Sequence, residues 1–192
     1  MNQEEFTIGV PRFLSVIELA YLSESITMAE KIFNKKIAST DGDVDKIGNI
    51  NAARQSLYGS TFVSAIACFE QALDEYCIML AKKEGSPWRP SDLKDRGIKR
   101  SIKFLKKAFG RALSESQEPW ITIFALIGLR NHIVHFGSTL TDSSEHLKLY
   151  KSLSNEDYVT FKDVICFNVT QLEKVFRIIM NGFHNFTGTR GS

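Results

Sequence analysis

The chain has 192 residues, a formal net charge of +2, 43% hydrophobic residues and three cysteines. That length suits one domain over 1–192, with a core at about 12–186 and a tail at 187–192, and it suffices to bury a core without disulfides or metals. The composition excludes a disordered or collagen-like chain, and so small a net charge, taken alone, argues against a strongly basic nucleic-acid binder.

Periodicity predicts helices along almost the whole chain. Leu14, Ile17, Tyr21, Leu22, Ser25, Met28, Ala29 and Ile32 recur at three- and four-residue steps and predict a first helix at about 12–37. Ser39-Thr-Asp-Gly-Asp reads as a turn. A second helix is expected at about 51–83, with Leu57, Phe62, Ile66, Phe69, Leu73, Tyr76 and Leu80 inward. Gly85-Ser-Pro-Trp-Arg-Pro ends it. A third, at about 92–109 and capped by Ser91 or Asp92, turns Ile98, Ile102, Leu105 and Phe109 to one side, with Leu113 continuing the stripe. A fourth spans about 117–136, with Pro119 in its first turn and Gly137 as its C-cap. Residues 138–156 are polar and read as loop, with one helical turn near 145–150. A last helix is expected at about 161–184, with Val164, Ile165, Phe167, Leu172, Val175, Phe176 and Ile179 inward; residues from Gly188 onward should fray. No run alternates with period two. The predicted fold is all-α, an up-and-down bundle of four to five helices.

Cys68, Cys77 and Cys166 form no CxxC pair and no Cys/His cluster at metal-ligand spacing. Cys68 and Cys166 fall in apolar stretches read as helical, where a thiol acts as a small hydrophobe. A reducing compartment is the simplest setting. The first residues carry neither the basic nor the apolar region of a signal peptide. The densest apolar run, Trp120 to Leu129, is too short to span a bilayer. A cytoplasmic protein without a membrane segment is therefore expected.

The fourth helix carries the chemical signal. It is apolar almost all round, which predicts the central, most buried position. Arg130, Asn131, His132 and His135 interrupt it. A buried guanidinium needs a partner or a cleft, because its desolvation must be offset. Asn131 and His135, four apart, share one face. Arg130 lies about 100° away around the helix.

Arg130-Asn131-His132-Ile133-Val134-His135 resembles the Arg-x4–6-His motif of the HEPN (higher eukaryotes and prokaryotes nucleotide-binding) domains. In that all-α family the residue after the Arg is often Asn, and the motif sits late in the bundle on a core helix. The second helix, with Phe69-Glu70 in an apolar stretch, resembles the helix that packs beside the motif. The resemblance spans about 12–186 but rests on some six residues.

The resemblance implies a metal-independent endoribonuclease, often a toxin or phage-defence effector, working as a homodimer whose motif helices share a cleft. The RNA 2′-hydroxyl attacks the adjacent phosphodiester and leaves a 2′,3′-cyclic phosphate. The side chains suit that chemistry. His135 can move a proton to or from an RNA oxygen. Arg130 can bind phosphate and its developing charge. Asn131 can orient either. His132 reads better as a packing or capping residue than as a catalyst. Arg130 has an alternative role in an ion pair with Glu70, and His135 at a helix C-terminus is also favoured by the helix dipole. His146 and His184 are assigned nothing. Some family toxins carry a Tyr two residues beyond the motif His, a target of a nucleotidyltransferase antitoxin. Here that position is Gly137, which argues against that pairing.

The net charge hides an uneven distribution. Residues 82–111 hold eleven Lys or Arg and three Asp or Glu, a net of +8, against −6 elsewhere. Arg96, Lys99, Arg100, Lys103, Lys106 and Lys107 form one stripe on the third helix, opposite its apolar side. Such a row suits RNA phosphates; an acidic protein partner or antitoxin, or a simply solvated face, explains it too. No phosphate loop, dinucleotide fingerprint, catalytic Ser or Cys elbow or metal set is present, so no cofactor or metal is expected. Three readings stand: a HEPN-type ribonuclease, a non-catalytic dimerisation, nucleotide-binding or partner-binding module, and a helical scaffold with a basic face.

Overall fold

The computed structural model describes residues 14–140 and 143–188. Its helices are α1 (Leu14–Ala38), α2 (Val44–Lys83), α3 (Gly97–Phe109), α4 (Trp120–Phe136), α5 (Ser144–Asn155) and α6 (Val169–Thr187). Two strands of two residues each, β1 (Thr160–Phe161) and β2 (Ile165–Cys166), pair antiparallel between α5 and α6. The expected all-helical class is observed, with a sixth helix in place of a predicted loop. No helix among the described residues is long and apolar enough to cross a membrane.

The organising element is α2. Its 40 residues run unbroken for about 60 Å. Asp43 starts it by accepting from the Lys46 amide at 3.1 Å, seven residues before the predicted boundary. Phe62, Ala65, Ile66, Phe69, Ala72 and Leu73 are wholly buried along it. α1, α3, α4 and α6 all pack on this helix. The expectation that α4 is central is therefore corrected. Apolar residues all round a helix do not say how many neighbours cover it. α4 buries Ile123, Leu126 and Leu129, and leaves Val134 56% and Phe136 55% exposed.

Two further boundaries differ for stated reasons. α3 begins at Gly97, because Asp92 bonds the Arg89 amide at 2.8 Å within a 3-10 turn at Pro90–Asp92. Pro119 sits immediately before α4 rather than inside its first turn. Gly137 ends α4 at φ +67°, as expected.

α5 replaces the predicted loop with three turns. Ser143 caps it by accepting from the His146 amide at 3.2 Å, and Tyr150 and Leu153, three apart, are buried. With the partly buried His146 and Leu149 they make a stripe of barely two turns, too short in a polar segment for its periodicity to stand out. Residues 161–168, assigned to the last helix, instead form the strand pair and its exit. Cys166 thus lies in a strand, and Val164 is exposed. The β-branched and aromatic residues there suit strands, while Asn168 starts α6 through a reciprocal cap with Gln171 at 2.8 and 3.0 Å. The far end of α6 is pinned: the Thr187 carbonyl accepts from Tyr76 at 3.1 Å and Arg111 at 3.3 Å. Residues 189–192, expected to fray, lie outside the described residues.

On α1 the buried side is rotated from the predicted stripe. Ser15, Leu19 and Ile26 face inward, whereas Tyr21, Met28 and Ile32 are exposed. Polar contacts to α2 fix that rotation: Ser15 donates to Glu75 at 2.8 Å, and Glu30 accepts from Tyr58 and pairs with Arg54.

Candidate functional site

α4 presents its polar residues on two faces. Arg130 points toward α2, where its Nη2 lies 2.7 Å from Glu70 Oε1. The side chains are 22% and 24% exposed, so the pair is largely withdrawn from water. Arg130 Nε is buried and has no hydrogen-bond partner among the described residues. Glu70 reaches this position because residue 97 is a glycine. A Cβ there would stand 2.9 Å from Glu70 Oε1, and the backbone at φ +56° already favours glycine.

The neighbouring face opens onto a cleft of about 450 Å³ between α4 and α5. Asn131, His132, His135 and Phe136 line it from α4, and His146 and Leu149 from α5. Asn131 and His135 are exposed. The predicted pairing of these two on one face is observed. Arg130 does not line this cleft; at 100° per residue it lies on the next face.

His132 is 2% exposed and has a structural task. Its Nε2 lies 2.7 Å from the Thr139 carbonyl. A carbonyl can only accept, so Nε2 donates and Nδ1 is left as the acceptor in the neutral ring. Tyr150 Oη stands 3.3 Å from Nε2 and 3.5 Å from Nδ1. The contact holds the segment after α4, where Ser138 accepts from the Ile165 amide at 2.8 Å and Thr139 bridges Val164. His132 therefore ties α4, α5 and the strand pair together.

Sequence reasoning assigned nothing to His146, yet it belongs to this cleft. Its ring centroid lies 4.8 Å from that of His132, edge to face, and 6.1 Å from Phe136. Phe136 in turn lies 6.4 Å from His135. Three of the four histidines thus gather around one aromatic ring. No spacing rule could show this, because the contact depends on α5 folding back over α4. Among the described residues no three His, Cys, Asp or Glu are arranged to hold a metal ion.

The basic row on α3 is less free than its sequence suggests. Arg96, Lys99 and Lys106 are exposed. Lys103 is held by Asp95 at 2.7 Å, and Lys107 lies over the Trp88 ring at 3.6 Å. Arg100 turns away from the row to Asp74 on α2, bonded through Nε at 3.3 Å and through Nη2. Arg111 bonds the Tyr76 hydroxyl at 3.2 Å and serves the α2–α6 junction.

No protein-family model, curated protein or solved structure matches the chain.

Proposed function

We propose that the chain is a metal-independent endoribonuclease of HEPN type, acting as a homodimer and serving as a toxin or phage-defence effector. One observation carries the reading: Asn131 and His135 stand open in one cleft, together with the exposed ring of Phe136. Val134, on another face of the same helix, and Leu147 of α5 are exposed as well. Exposed apolar residues gathered around polar, titratable ones mark interaction sites more often than inert surface.

In this reading His135 takes the proton from the RNA 2′-hydroxyl or gives one to the leaving 5′-oxygen. A second His135, from the other protomer, does the complementary transfer. Asn131 orients the phosphate. Arg130, held by Glu70, supplies positive charge toward the phosphate from the adjoining face. Arg96, Lys99 and Lys106 are the exposed cations that would track RNA beyond the cleft.

The test is cleavage of RNA in EDTA with detection of 2′,3′-cyclic phosphate ends. His135→Ala should lower the rate by about 10²-fold or more, the usual scale of acid–base catalysis. Wild-type rates in a folded His135→Ala variant would refute the assignment.

One observation favours a second reading, a non-catalytic dimerisation or partner-binding module. The Arg130 guanidinium is engaged by Glu70 and lies outside the cleft that holds His135. That reading expects no cleavage, with binding of an antitoxin or other protein partner retained in Arg130→Lys.

A further inference from the structure

A second cleft, of about 600 Å³, lies between the C-terminal part of α2, the segment after it and the start of α3. Three cations from three separate elements line it: Lys82, Arg89 and Arg100. Asp74 is the one carboxylate among its lining residues, and it is already committed. It grips Arg100 along one edge of the guanidinium and accepts from the Ser101 hydroxyl at 3.3 Å. That grip fixes Arg100 in place and leaves its Nη1 hydrogens for another acceptor. Lys82 and Arg89 make no ion pair among the described residues. Their charges therefore add in the cleft instead of cancelling.

The same cleft has an apolar side. Ile78 lies in its wall and is exposed. Ser86 adds a hydroxyl at the rim. A bare anion would have no use for an isoleucine wall, and an apolar ligand would have none for three cations in the lining. A nucleotide satisfies both, with its phosphate on the cations and its base or ribose against Ile78. The volume lies within the usual range for such ligands.

We propose that this cleft is a nucleotide-binding site, separate from the α4 cleft, in which Lys82, Arg89 and Arg100 hold a phosphate group. The ligand is either a free nucleotide or one nucleotide unit of an RNA strand. The site does not require the chain to cleave RNA.

Calorimetric titration of the full chain in EDTA tests this. The probes are AMP, inorganic phosphate, adenosine and a single-stranded 2′-O-methyl RNA of eight nucleotides, which resists attack by its own 2′-oxygen. AMP or the oligonucleotide should bind at least tenfold more tightly than phosphate or adenosine. Lys82→Glu with Arg89→Glu should weaken that binding at least tenfold. Both residues are exposed, so the variant should fold, which circular dichroism checks. Lys35→Glu with Lys36→Glu makes the same charge change near the opposite end of α2 and should alter binding less than twofold. Binding of AMP identifies a free nucleotide as sufficient, and binding of the oligonucleotide alone identifies a strand unit; each supports the site. No binding by any probe, equal weakening in the two charge-reversed variants, or phosphate binding as tightly as AMP would overturn it. Because the readout is binding, a chain that cuts no RNA leaves this result standing, and loss of this site leaves the role of His135 to be judged by cleavage.

Discussion

Cys77 is fully buried on α2, and its thiol donates to the Ser101 carbonyl at 3.7 Å. Burial, reinforced by the nearby Asp74 charge, pushes its thiol from 9.0 up to about 12. Since only the thiolate is nucleophilic, Cys77 should resist iodoacetamide at pH 8 in the folded chain and react after unfolding. Mass spectrometry of labelled peptides checks this. The same shift gives a direction to alkaline stability. The thiol is harder to ionise folded than unfolded, so its stabilising effect is complete below about pH 9 and is lost as pH rises toward 12. Denaturant midpoints should fall across that window, and less steeply in Cys77→Ala than in the parent chain. The histidines divide by burial in the same way. His132 is enclosed and bonded to Thr139, so His132→Ala should cost about 1–3 kcal/mol in urea denaturation, the scale of a lost buried polar contact. His135 is exposed, and His135→Ala should stay within about 0.5 kcal/mol of wild type. Asn131 and His135 were legible as a pair because a four-residue step fixes their common face. The burial of His132 was legible only as a tendency, since its partner lies in the chain beyond Gly137.

Helix placement follows local rules, but helix neighbours do not. The Phe62–Ile66–Phe69–Leu73 stripe reads directly from α2 and is buried as expected. α5 escaped notice because its inward stripe, His146, Leu149, Tyr150 and Leu153, spans barely two turns of a polar segment. The exposed strip on α1 shows the converse, an apolar periodicity that the fold leaves uncovered among the described residues. Close approach is equally invisible in sequence. Gly182 on α6 would place a Cβ 2.3 Å from Ile123 Cδ1 and 3.2 Å from Phe69 Cζ, so α6 meets α2 and α4 there without a side chain between them. Gly182→Ala gains up to about 1 kcal/mol of helix propensity but loses about 1–3 kcal/mol to overpacking. A net fall in thermal midpoint is expected, and a rise would show that Ile123 has room to move. The Glu70–Arg130 contact joins α2 to α4 in a related way, through the space left by Gly97. Glu70→Ala should cost about 1–3 kcal/mol, between the ranges for exposed and buried pairs. The double variant Glu70→Ala with Arg130→Ala should cost less than the sum of the two single changes. Additive costs would mean that the two side chains act independently.

For the molecule as a whole, charge asymmetry was the legible feature, and apolar asymmetry was not. The excess of cations between residues 82 and 111 is plain in the sequence, whereas which of them are held by Asp74, Asp95 or Trp88 depends on packing. The uncovered side of α4 emerges only when α2 takes the central place. Val134 and Phe136, on different faces of α4, then face solvent at 56% and 55% exposure, and Leu147 of α5 is 52% exposed. If the C-terminal end of α4 is where two copies meet, the contact must spread over about 800 Å² on each partner, the usual scale of a specific interface, and so wrap more than one face of that helix. A charge at its centre would then be buried without a partner and should abolish association. Val134→Glu and Phe136→Glu are therefore expected to yield monomers by light scattering where the parent chain gives dimers, with unchanged helical content by circular dichroism. Val134→Glu is the sharper test, because Phe136 also touches His132, His135 and His146 and its loss could alter the cleft directly. Cleavage lost together with dimerisation in Val134→Glu would tie catalysis to the second copy. Cleavage retained by a monomeric Val134→Glu would instead confine it to one protomer, where His146 lines the same cleft as a second proton carrier. A parent chain that is itself monomeric at tens of micromolar would overturn the shared-cleft arrangement.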